Sequence, residues 1–225
     1  LDQLNGKSAN SLYGDALDAL LAMQLGWPPE QSLPLYDSSL LMQEMGLFQE
    51  WYLGVHRKIS LSSEQQEMLR QQFAVLADSA LEQPRVAVHR DYHSRNLMVV
   101  EGDNPGVIDF QDAVWGPVTY DLVSLLRDCY INWPRNQVEE WAKSYFNRLV
   151  EKQLIDDDWS QFLRWFDWMG VQRHLKAIGI FSRLNYRDGK SGYLDDIPRT
   201  MGYVVEVTSR YPELEQLHEL MGSLQ

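Results

Sequence analysis

His-Arg-Asp-Tyr-His-Ser-Arg-Asn at residues 89–96, followed by Val-Ile-Asp-Phe at residues 107–110, is the most specific pattern in the sequence. It places Asn96 five positions after Asp91, and Asp109 thirteen positions after Asn96. Phosphoryl transfer needs such a set, because one carboxylate must orient and deprotonate the attacking hydroxyl while an amide oxygen and a second carboxylate hold magnesium at the nucleotide phosphates. The spacing is therefore typical of a phosphotransfer site, and it is much more specific than a lone His-x-Asp.

A β-hairpin is predicted directly after this loop. Residues 97–100 and 107–110 are short apolar runs that favour strands, and residues 101–106 between them are rich in turn formers. Asn96 then ends the loop before one strand, and Asp109 sits in the partner strand. Since magnesium accepts a few protein oxygen ligands together with phosphate and water, the hairpin is predicted to carry a metal site.

The same pattern also has a purely structural interpretation. His, Asp and Asn are common turn residues, so the eight-residue match alone is weak evidence of catalysis. A further Asp in an apolar strand at hairpin distance favours the catalytic interpretation. His89 itself is expected to be structural, packing under the loop and bonding backbone carbonyls.

The segment from His89 to Asp121 resembles the catalytic core of the aminoglycoside phosphotransferase-like kinases, a branch of the protein-kinase-like fold. The residues that carry the resemblance are His89, Asp91, Asn96, Ile108-Asp109-Phe110, Gly116-Pro117 and Asp121-Leu122. The resemblance implies ATP and Mg²⁺ as cofactors, Asp91 as the catalytic base, and Asn96 and Asp109 as metal ligands. It also implies that His89 and Asp121 are structural supports, with Asp121 at the start of a helix and bonded back to the loop.

The residues around this core, together with Arg173-His174-Leu175-Lys176 and Arg187-Asp188-Gly189-Lys190, are similar to those of the bacterial N-acetylmuramate/N-acetylglucosamine anomeric kinases. That resemblance implies an ATP-dependent phosphotransferase acting on the C1 hydroxyl of a cell-wall amino sugar during peptidoglycan recycling. Its partners would be a small-molecule amino sugar and a nucleotide.

The N-terminal part of the chain does not show the features of a kinase small lobe. The first eighty residues contain no Gly-rich loop and no strand-borne Val-Ala-Ile-Lys-like run, and they predict helices. The resemblance therefore implies that residues 1–225 form the larger C-terminal lobe of a protein-kinase-like fold, with the N-terminal nucleotide-binding lobe and most of the adenine pocket absent. The expected fold class is α+β, mostly helical, with the small hairpin carrying the metal site.

Apolar periodicity predicts helices over most of the remaining chain. Their expected positions are from Leu12 to near Gly26, 39–57, from Ser62 to before Pro84, 120–130, 136–153, 157–186, 198–211 and 213–221. Residues 85–88 predict a short strand that delivers His89 to the loop.

Composition narrows the class of protein. The chain has 225 residues, of which 44% are hydrophobic, enough for one domain or at most two subdomains. It has no apolar run of about eighteen residues and no signal-peptide pattern, so we expect a cytoplasmic protein without a membrane partner. The single cysteine, Cys129, excludes an internal disulfide framework and is expected to be a buried small hydrophobe in the helix over residues 120–130.

Several other functions are disfavoured. A net charge of −12 argues against a nucleic-acid partner, because an acidic surface repels phosphate. Residues 188–192 contain Gly-Lys-Ser, but Leu184 stands where a phosphate-binding loop needs glycine. No serine sits in a nucleophile elbow, which argues against a hydrolase triad. The oligomeric state stays open.

Four residues are candidates for binding the acceptor. Glu50 and Trp51 lie on the second predicted helix, where a carboxylate can accept hydrogen bonds from sugar hydroxyls and an indole can stack on a sugar ring. Arg95 lies in the loop and would contact phosphate or substrate, and Arg173 would pair with the lactyl carboxylate of N-acetylmuramate. The alternatives are a solvated Glu50 beside a core Trp51, an Arg95 that only shields the loop, and a surface salt-bridging helix face around Arg173.

Two further hypotheses stay in play. The same fold can act on another alcohol, such as an aminoglycoside, which would need a wall of carboxylates, or choline, which would need an aromatic cage. Alternatively the chain is a non-catalytic lobe that acts as a binding module. That hypothesis predicts an exposed apolar patch and no effect of nucleotide on the melting temperature.

Overall fold

The computed structural model describes residues 4–28 and 33–224 and shows a mostly helical α+β chain with small antiparallel sheets. The α-helices of these ranges are α1 (Ala9–Gly26), α2 (Ser38–Leu47), α3 (Ser63–Leu81), α4 (Tyr120–Leu126), α5 (Arg135–Glu151), α6 (Trp159–Asp188), α7 (Ile197–Thr208) and α8 (Glu215–Ser223). The strands are β1 (Arg85–Val88), β2 (Leu97–Met98), β3 (Gly106–Val107) and β4 (Val114–Pro117). A π-helical segment spans Phe48–His56, and 3₁₀ turns span Ser191–Asp196 and Pro212–Leu214. Within the described ranges, no helix has the length and apolar character needed to cross a membrane.

The helices lie close to where apolar periodicity places them, because their apolar residues are buried; α4 is buried on every side. α3 shows the local signals best. Ser62 caps it in a capping box, accepting from the backbone N–H of Gln65 at 3.2 Å while the Gln65 side chain accepts from the backbone N–H of Ser62 at 2.9 Å. The helix ends before Pro84, as the sequence predicts.

Two compact units divide the chain. The first contains the described residues up to Tyr36 together with Gln83–Phe166, and the second contains Asp37–Glu82 together with the described residues from Asp167 onward.

In the first unit, β1 pairs antiparallel with β4, from Arg85 opposite Pro117 to Val88 opposite Val114. Strand β1 was predicted, whereas β4 was not, because four residues that include Gly116 and Pro117 give little strand signal. Gly116 is required here, since a Cβ at this position would lie 2.9 Å from the Cβ of Tyr36. The sheet fixes where the loop after β1 begins.

The hairpin after the loop is shorter than predicted. Leu97 pairs with Val107 and Met98 with Gly106, and the ladder ends there. The side chain of Asn104 accepts the backbone N–H of Val100 at 3.1 Å, so this donor is satisfied without a longer ladder. The prediction that Asp109 sits in a strand is wrong, because Asp109 follows β3 with a φ of 71°.

Helix α4 is also shorter than the predicted 120–130. It ends at Leu126, and Arg127 leaves helical geometry with φ −119° and ψ 46°. The carboxylate of Asp128 then accepts the backbone N–H of Tyr130 at 2.9 Å, a local bond that competes with helix continuation. Cys129 is buried and unoxidised, as expected, but it lies beyond the helix.

In the second unit, the single helix predicted over residues 39–57 is instead α2 followed by the π-helical segment. The change of winding occurs where Gly179 of α6 lies against the chain. A Cβ at position 179 would lie 2.4 Å from the carbonyl carbon of Leu47 and 2.6 Å from the backbone nitrogen of Phe48. Only glycine permits this backbone approach.

Candidate active site

The loop over residues 89–96 begins on a buried carboxylate. Asp121, in the first turn of α4, is fully buried. Its two oxygens accept the backbone N–H groups of His89, at 2.6 Å, and of Arg90, at 3.0 Å. Both acceptor oxygens of one carboxylate therefore define the path of the chain as it leaves β1.

The imidazole of His89 lies under the loop. It is buried, and its Nδ1 accepts the backbone N–H of Asp91 at 3.3 Å, which places the ring proton on Nε2. Burial lowers the pKa of His89 below its ordinary 6.5 and outweighs the nearby charges of Asp91 and Asp109, which act to raise it. The ring is therefore neutral, and the carboxylates of Asp91 and Asp109 both lie close to it.

Asp91 is half-buried at the turn of the loop. Its backbone carbonyl accepts from the Nδ2 of Asn96 at 3.0 Å and from the backbone N–H of His93 at 3.1 Å. Among the described residues, none donates a hydrogen bond to its carboxylate. The backbone of Asp91 is thus fixed by hydrogen bonds, while its carboxylate accepts none from the described residues.

Asn96 and Asp109 are linked through the backbone. The carbonyl of Asn96 accepts the N–H of Ile108 at 3.2 Å, which brings the residue before Asp109 beside the end of the loop. Since the Nδ2 of Asn96 is occupied by Asp91, its Oδ1 is the atom left for a ligand. Asp109 is exposed and has one oxygen, Oδ1, accepting from the Nε2 of Gln111 at 2.7 Å.

These two residues fit a magnesium ion by the chemistry of their donors. An amide oxygen and a carboxylate oxygen are hard ligands, and a solvent-facing site leaves room for water and phosphate. In the described part of the chain, no group of three or more His, Cys, Asp or Glu residues could hold a metal, so an all-protein cage is excluded there. The positive φ of Asp109 is uncommon for a residue other than glycine, and such strain concentrates at functional sites.

Arg95 and Arg90 extend from the same loop. Arg95 is exposed, with its guanidinium 3.5 Å from the centre of the Tyr130 ring. Arg90, whose φ is 76°, donates to the backbone carbonyl of Asp112 at 3.4 Å, and Asp112 lies in an exposed turn. Of the sequence candidates, the loop brings together His89, Asp91, Arg95, Asn96, Asp109 and Asp121.

The other acceptor candidates belong to the second unit. Glu50 is exposed and Trp51 half-buried, both on the π-helical segment. Arg173 lies on α6 and is only 6% exposed.

The alternative of a surface salt-bridging face around Arg173 is right about the ion pair and wrong about its exposure. Lys176, one turn further along α6, pairs with Glu44 at 2.9 Å, and both side chains are largely buried. The second oxygen of Glu44 accepts from Gln172 at 3.2 Å. The sequence shows the charges on α6 but not that their partner lies on α2.

One carboxylate near the loop was missed by the sequence analysis. Asp128 is buried and accepts hydrogen bonds from Ser94 in the middle of the loop. The available signal was a charged residue beside the otherwise apolar run that begins at Leu122.

Large apolar side chains are exposed on and beside the hairpin. They are Met98, Val99, Val100, Ile108 and Phe110, and Phe110 is 66% exposed. They flank Asn96 and Asp109 in sequence, so an apolar surface accompanies the polar site.

The sequence of the chain is similar to those of known proteins. A model of the phosphotransferase enzyme family matches residues 2–163. The chain is 46% identical to an N-acetylmuramate/N-acetylglucosamine kinase of Pseudomonas putida, 45% identical to one of Pseudomonas aeruginosa and 42% identical to one of Neisseria meningitidis. These matches cover 100%, 100% and 99% of this chain and 66% of the length of each relative.

Proposed function

Because this chain belongs to the phosphotransferase enzyme family, we propose that it supplies the catalytic centre of a kinase that transfers the γ-phosphoryl group of ATP to a hydroxyl of N-acetylmuramate or N-acetylglucosamine. The observation that carries the proposal is that Asn96 is bonded on one side to the backbone carbonyl of Asp91, at 3.0 Å, and on the other to the backbone N–H of Ile108, the residue before Asp109, at 3.2 Å. The acceptor atom is the anomeric C1 hydroxyl, and the reaction serves peptidoglycan recycling for the cell wall in the cytoplasm. The relatives' names support the sugar.

Asp91 is the proposed base. Its carboxylate has no donor among the described residues, and two hydrogen bonds to its backbone carbonyl fix the main chain that carries it. It orients the acceptor hydroxyl toward the γ-phosphorus and takes its proton as the new P–O bond forms, while the bond from the γ-phosphorus to the β,γ-bridging oxygen breaks and ADP leaves. His89 and Asp121 act as supports, because their hydrogen bonds go to the backbone of the loop.

Asn96 and Asp109 would hold Mg²⁺, Asn96 through Oδ1 and Asp109 through its carboxylate. When bound, the ion neutralises charge that develops on the transferred group. The short hairpin of β2 and β3 carries this site, because β2 directly follows Asn96 and the chain leaving β3 leads to Asp109.

The chain is proposed to be the C-terminal lobe of a protein-kinase-like fold. The Gly-rich loop and the strand lysine of such enzymes have no counterpart in the sequence before His89. Groups that do the work of this loop and lysine would have to come from outside residues 1–88. The exposed side chains of Met98, Ile108 and Phe110 offer an apolar surface for the base of the nucleotide.

Four residues remain separate candidates for contacting the acceptor, Arg95 in the first unit and Glu50, Trp51 and Arg173 in the second. Arg95 is exposed and would contact phosphate or sugar. Glu50 would accept from sugar hydroxyls and Trp51 would stack on the ring. Arg173 is buried, so it would meet a lactyl carboxylate only in a pocket shielded from water, where a charge-assisted pair is strong.

A second candidate function is favoured by one observation. Met98, Val99, Val100, Ile108 and Phe110 are exposed large apolar side chains, of the kind that a non-catalytic binding module would use for contact with a partner. The two functions differ in their response to nucleotide, since a binding module shows no change in melting with magnesium and ATP.

The deciding experiment is phosphorus NMR of the full-length protein with magnesium-ATP and, in turn, N-acetylmuramate, N-acetylglucosamine, kanamycin and choline. We expect a new anomeric sugar-phosphate signal with the two amino sugars and none with an Asp91→Asn variant. Phosphate on kanamycin or choline alone would contradict the sugar assignment while keeping the kinase. Intact ATP with every acceptor would contradict the kinase.

A further inference from the structure

A second buried carboxylate holds the loop. Asp128, two residues beyond the end of α4, is 1% exposed. One of its oxygens, Oδ2, accepts the backbone N–H of Ser94 at 2.9 Å and the Ser94 hydroxyl at 2.5 Å. The other oxygen accepts the backbone N–H of Tyr130 at 2.9 Å. Three donors therefore converge on one carboxylate.

The chain around Asp128 supports three consecutive residues of the loop. Ser94 is bonded to Asp128 directly, while the ring of Tyr130 carries the guanidinium of Arg95 at 3.5 Å and the edge of the His93 imidazole at 5.4 Å between centroids. The loop thus rests on residues 128–130 over its second half.

The two carboxylates act on different ends of the loop. Asp121 binds the backbone of His89 and Arg90, directly before Asp91. Asp128 binds Ser94, two positions before Asn96. Ser94 lies inside the closed turn from His93 to Asn96, in which the N–H of Asn96 donates to the carbonyl of His93 at 2.9 Å. A displacement of Ser94 is therefore passed on to Asn96.

We propose that Asp128 is a positioning residue that holds Asn96 in its magnesium-binding geometry, whereas Asp121 sets the position of Asp91. This rests on the proposed function, since it assigns a role relative to the same metal and base. An amide at position 128 can accept with only one atom, so either Ser94 or Tyr130 loses its acceptor in an Asp128→Asn variant.

The test compares magnesium dependence with turnover in the full-length protein. In Asp128→Asn we expect the half-saturating magnesium concentration to rise about tenfold, the usual scale for losing an outer partner of a metal ligand, with a smaller change in kcat at saturating magnesium. In Asp121→Asn we expect the reverse, a large fall in kcat with little change in magnesium dependence. Ser94→Ala should raise the half-saturating magnesium concentration by an intermediate amount. Ser94→Thr keeps the hydroxyl, so its half-saturating magnesium concentration should stay close to that of the unmodified protein.

A matched control separates positioning from simple destabilisation. Asp167 is also 1% exposed and accepts a hydrogen bond from the hydroxyl of Tyr211 at 2.9 Å, but it lies in the second unit. Asp167→Asn should lower the unfolding midpoint without changing magnesium dependence. An Asp128→Asn variant whose magnesium dependence matches that of Asp167→Asn would overturn the proposal.

Amide hydrogen exchange tests whether Asp128 holds the loop without relying on catalytic turnover. Amide hydrogen exchange should show faster exchange at Ser94 and Asn96 in Asp128→Asn, and unchanged exchange at His89 and Arg90. Uniform acceleration across the loop, or none, would contradict the assignment. Absence of sugar phosphorylation by the unmodified protein would instead refute the proposed function, and the exchange pattern would still decide whether Asp128 holds the loop.

Discussion

His89 is the residue whose ionisation is most tightly tied to the loop. Its Nδ1 accepts the N–H of Asp91, so a proton at Nδ1 would break that bond and place a cation in a buried position. Burial keeps its pKa below 6.5 in the folded protein, although Asp91 and Asp109 lie nearby. Protonation of His89 at Nδ1 is therefore incompatible with the hydrogen bond from the N–H of Asp91.

This coupling predicts a pH dependence of stability. The unfolded chain takes up a proton at His89 as the pH falls through about 6.5, whereas the folded chain does not until a lower pH, so stability is lost as the pH falls below about 6.5. His89→Asn keeps an acceptor near the Nδ1 position but does not titrate. Urea unfolding between pH 7.5 and 5.5 should show a flatter dependence for the variant, and identical slopes would contradict the assignment.

Asp91 carries the second prediction at this scale. Asp91→Asn removes the proton acceptor but leaves the backbone bonds from His93 and Asn96 in place. We expect kcat of the full-length protein to fall by about 10²–10⁴, the usual contribution of a general base, with nucleotide affinity nearly unchanged. Steady-state kinetics and calorimetric titration with magnesium-ATP measure both, and near-normal turnover would rule out this role.

The sequence predicts some residues of the site and not others. Asp91 and Asn96 were found because five positions within one loop are a local pattern. Asp128 was not found, since its partner Ser94 lies 34 positions away and nothing in the sequence brings them together. The same reason hid the pairing of Glu44 with Lys176.

The junction between α2 and the π-helical segment is the most constrained feature among the elements. Leu47 and Phe48 present their backbone directly to Gly179, and Phe48 is fully buried. The apolar pattern over residues 39–57 predicts helix correctly, but it does not encode the wider winding, which coincides with a contact made by a distant helix. Element type was thus predictable here and its hydrogen-bond register was not.

Gly179→Ala should be strongly destabilising. The added methyl would lie 2.4 Å from the carbonyl carbon of Leu47, where only backbone can yield, so we expect a loss of about 2–3 kcal/mol or more of unfolding free energy. Gly202→Ala is the matched control, because Gly202 is exposed on α7 with nothing within 4 Å of an added Cβ. The control should gain about 0.5–1 kcal/mol from helix propensity. Equal changes in the unfolding free energy of Gly179→Ala and Gly202→Ala, measured by urea unfolding, would contradict the close approach of Gly179 to the backbone of Leu47.

The chain as a whole combines a large negative net charge with several exposed large apolar side chains. The net charge of −12 keeps such a chain soluble, while Phe110 and its neighbours beside the hairpin remain uncovered. An anionic nucleotide can approach this surface only with a cation that offsets its charge. Binding is therefore expected to require magnesium.

That requirement predicts the effect of ligand on melting. Magnesium-ATP at about a hundred times its Kd should stabilise the full-length protein by about 2.7 kcal/mol, and either component alone should do less. Asp109→Asn should remove most of the magnesium-dependent part, whereas Asp103→Asn, an equal change of charge in the exposed turn of the hairpin, should not. Scanning calorimetry measures the shift, and no shift with magnesium-ATP would favour the binding module.

The two carboxylates that hold the loop come from one short stretch, residues 120–130. For protein engineering this means that residues 89–96 cannot be exchanged alone between relatives. Consider a chimera that receives residues 89–96 of a relative but not that relative's residues 120–130. Its loop backbone would meet carboxylates from a different parent, so the side chains of the loop would be poorly positioned. Recombination between relatives should therefore keep activity when both segments come from one parent and lose it when they are split.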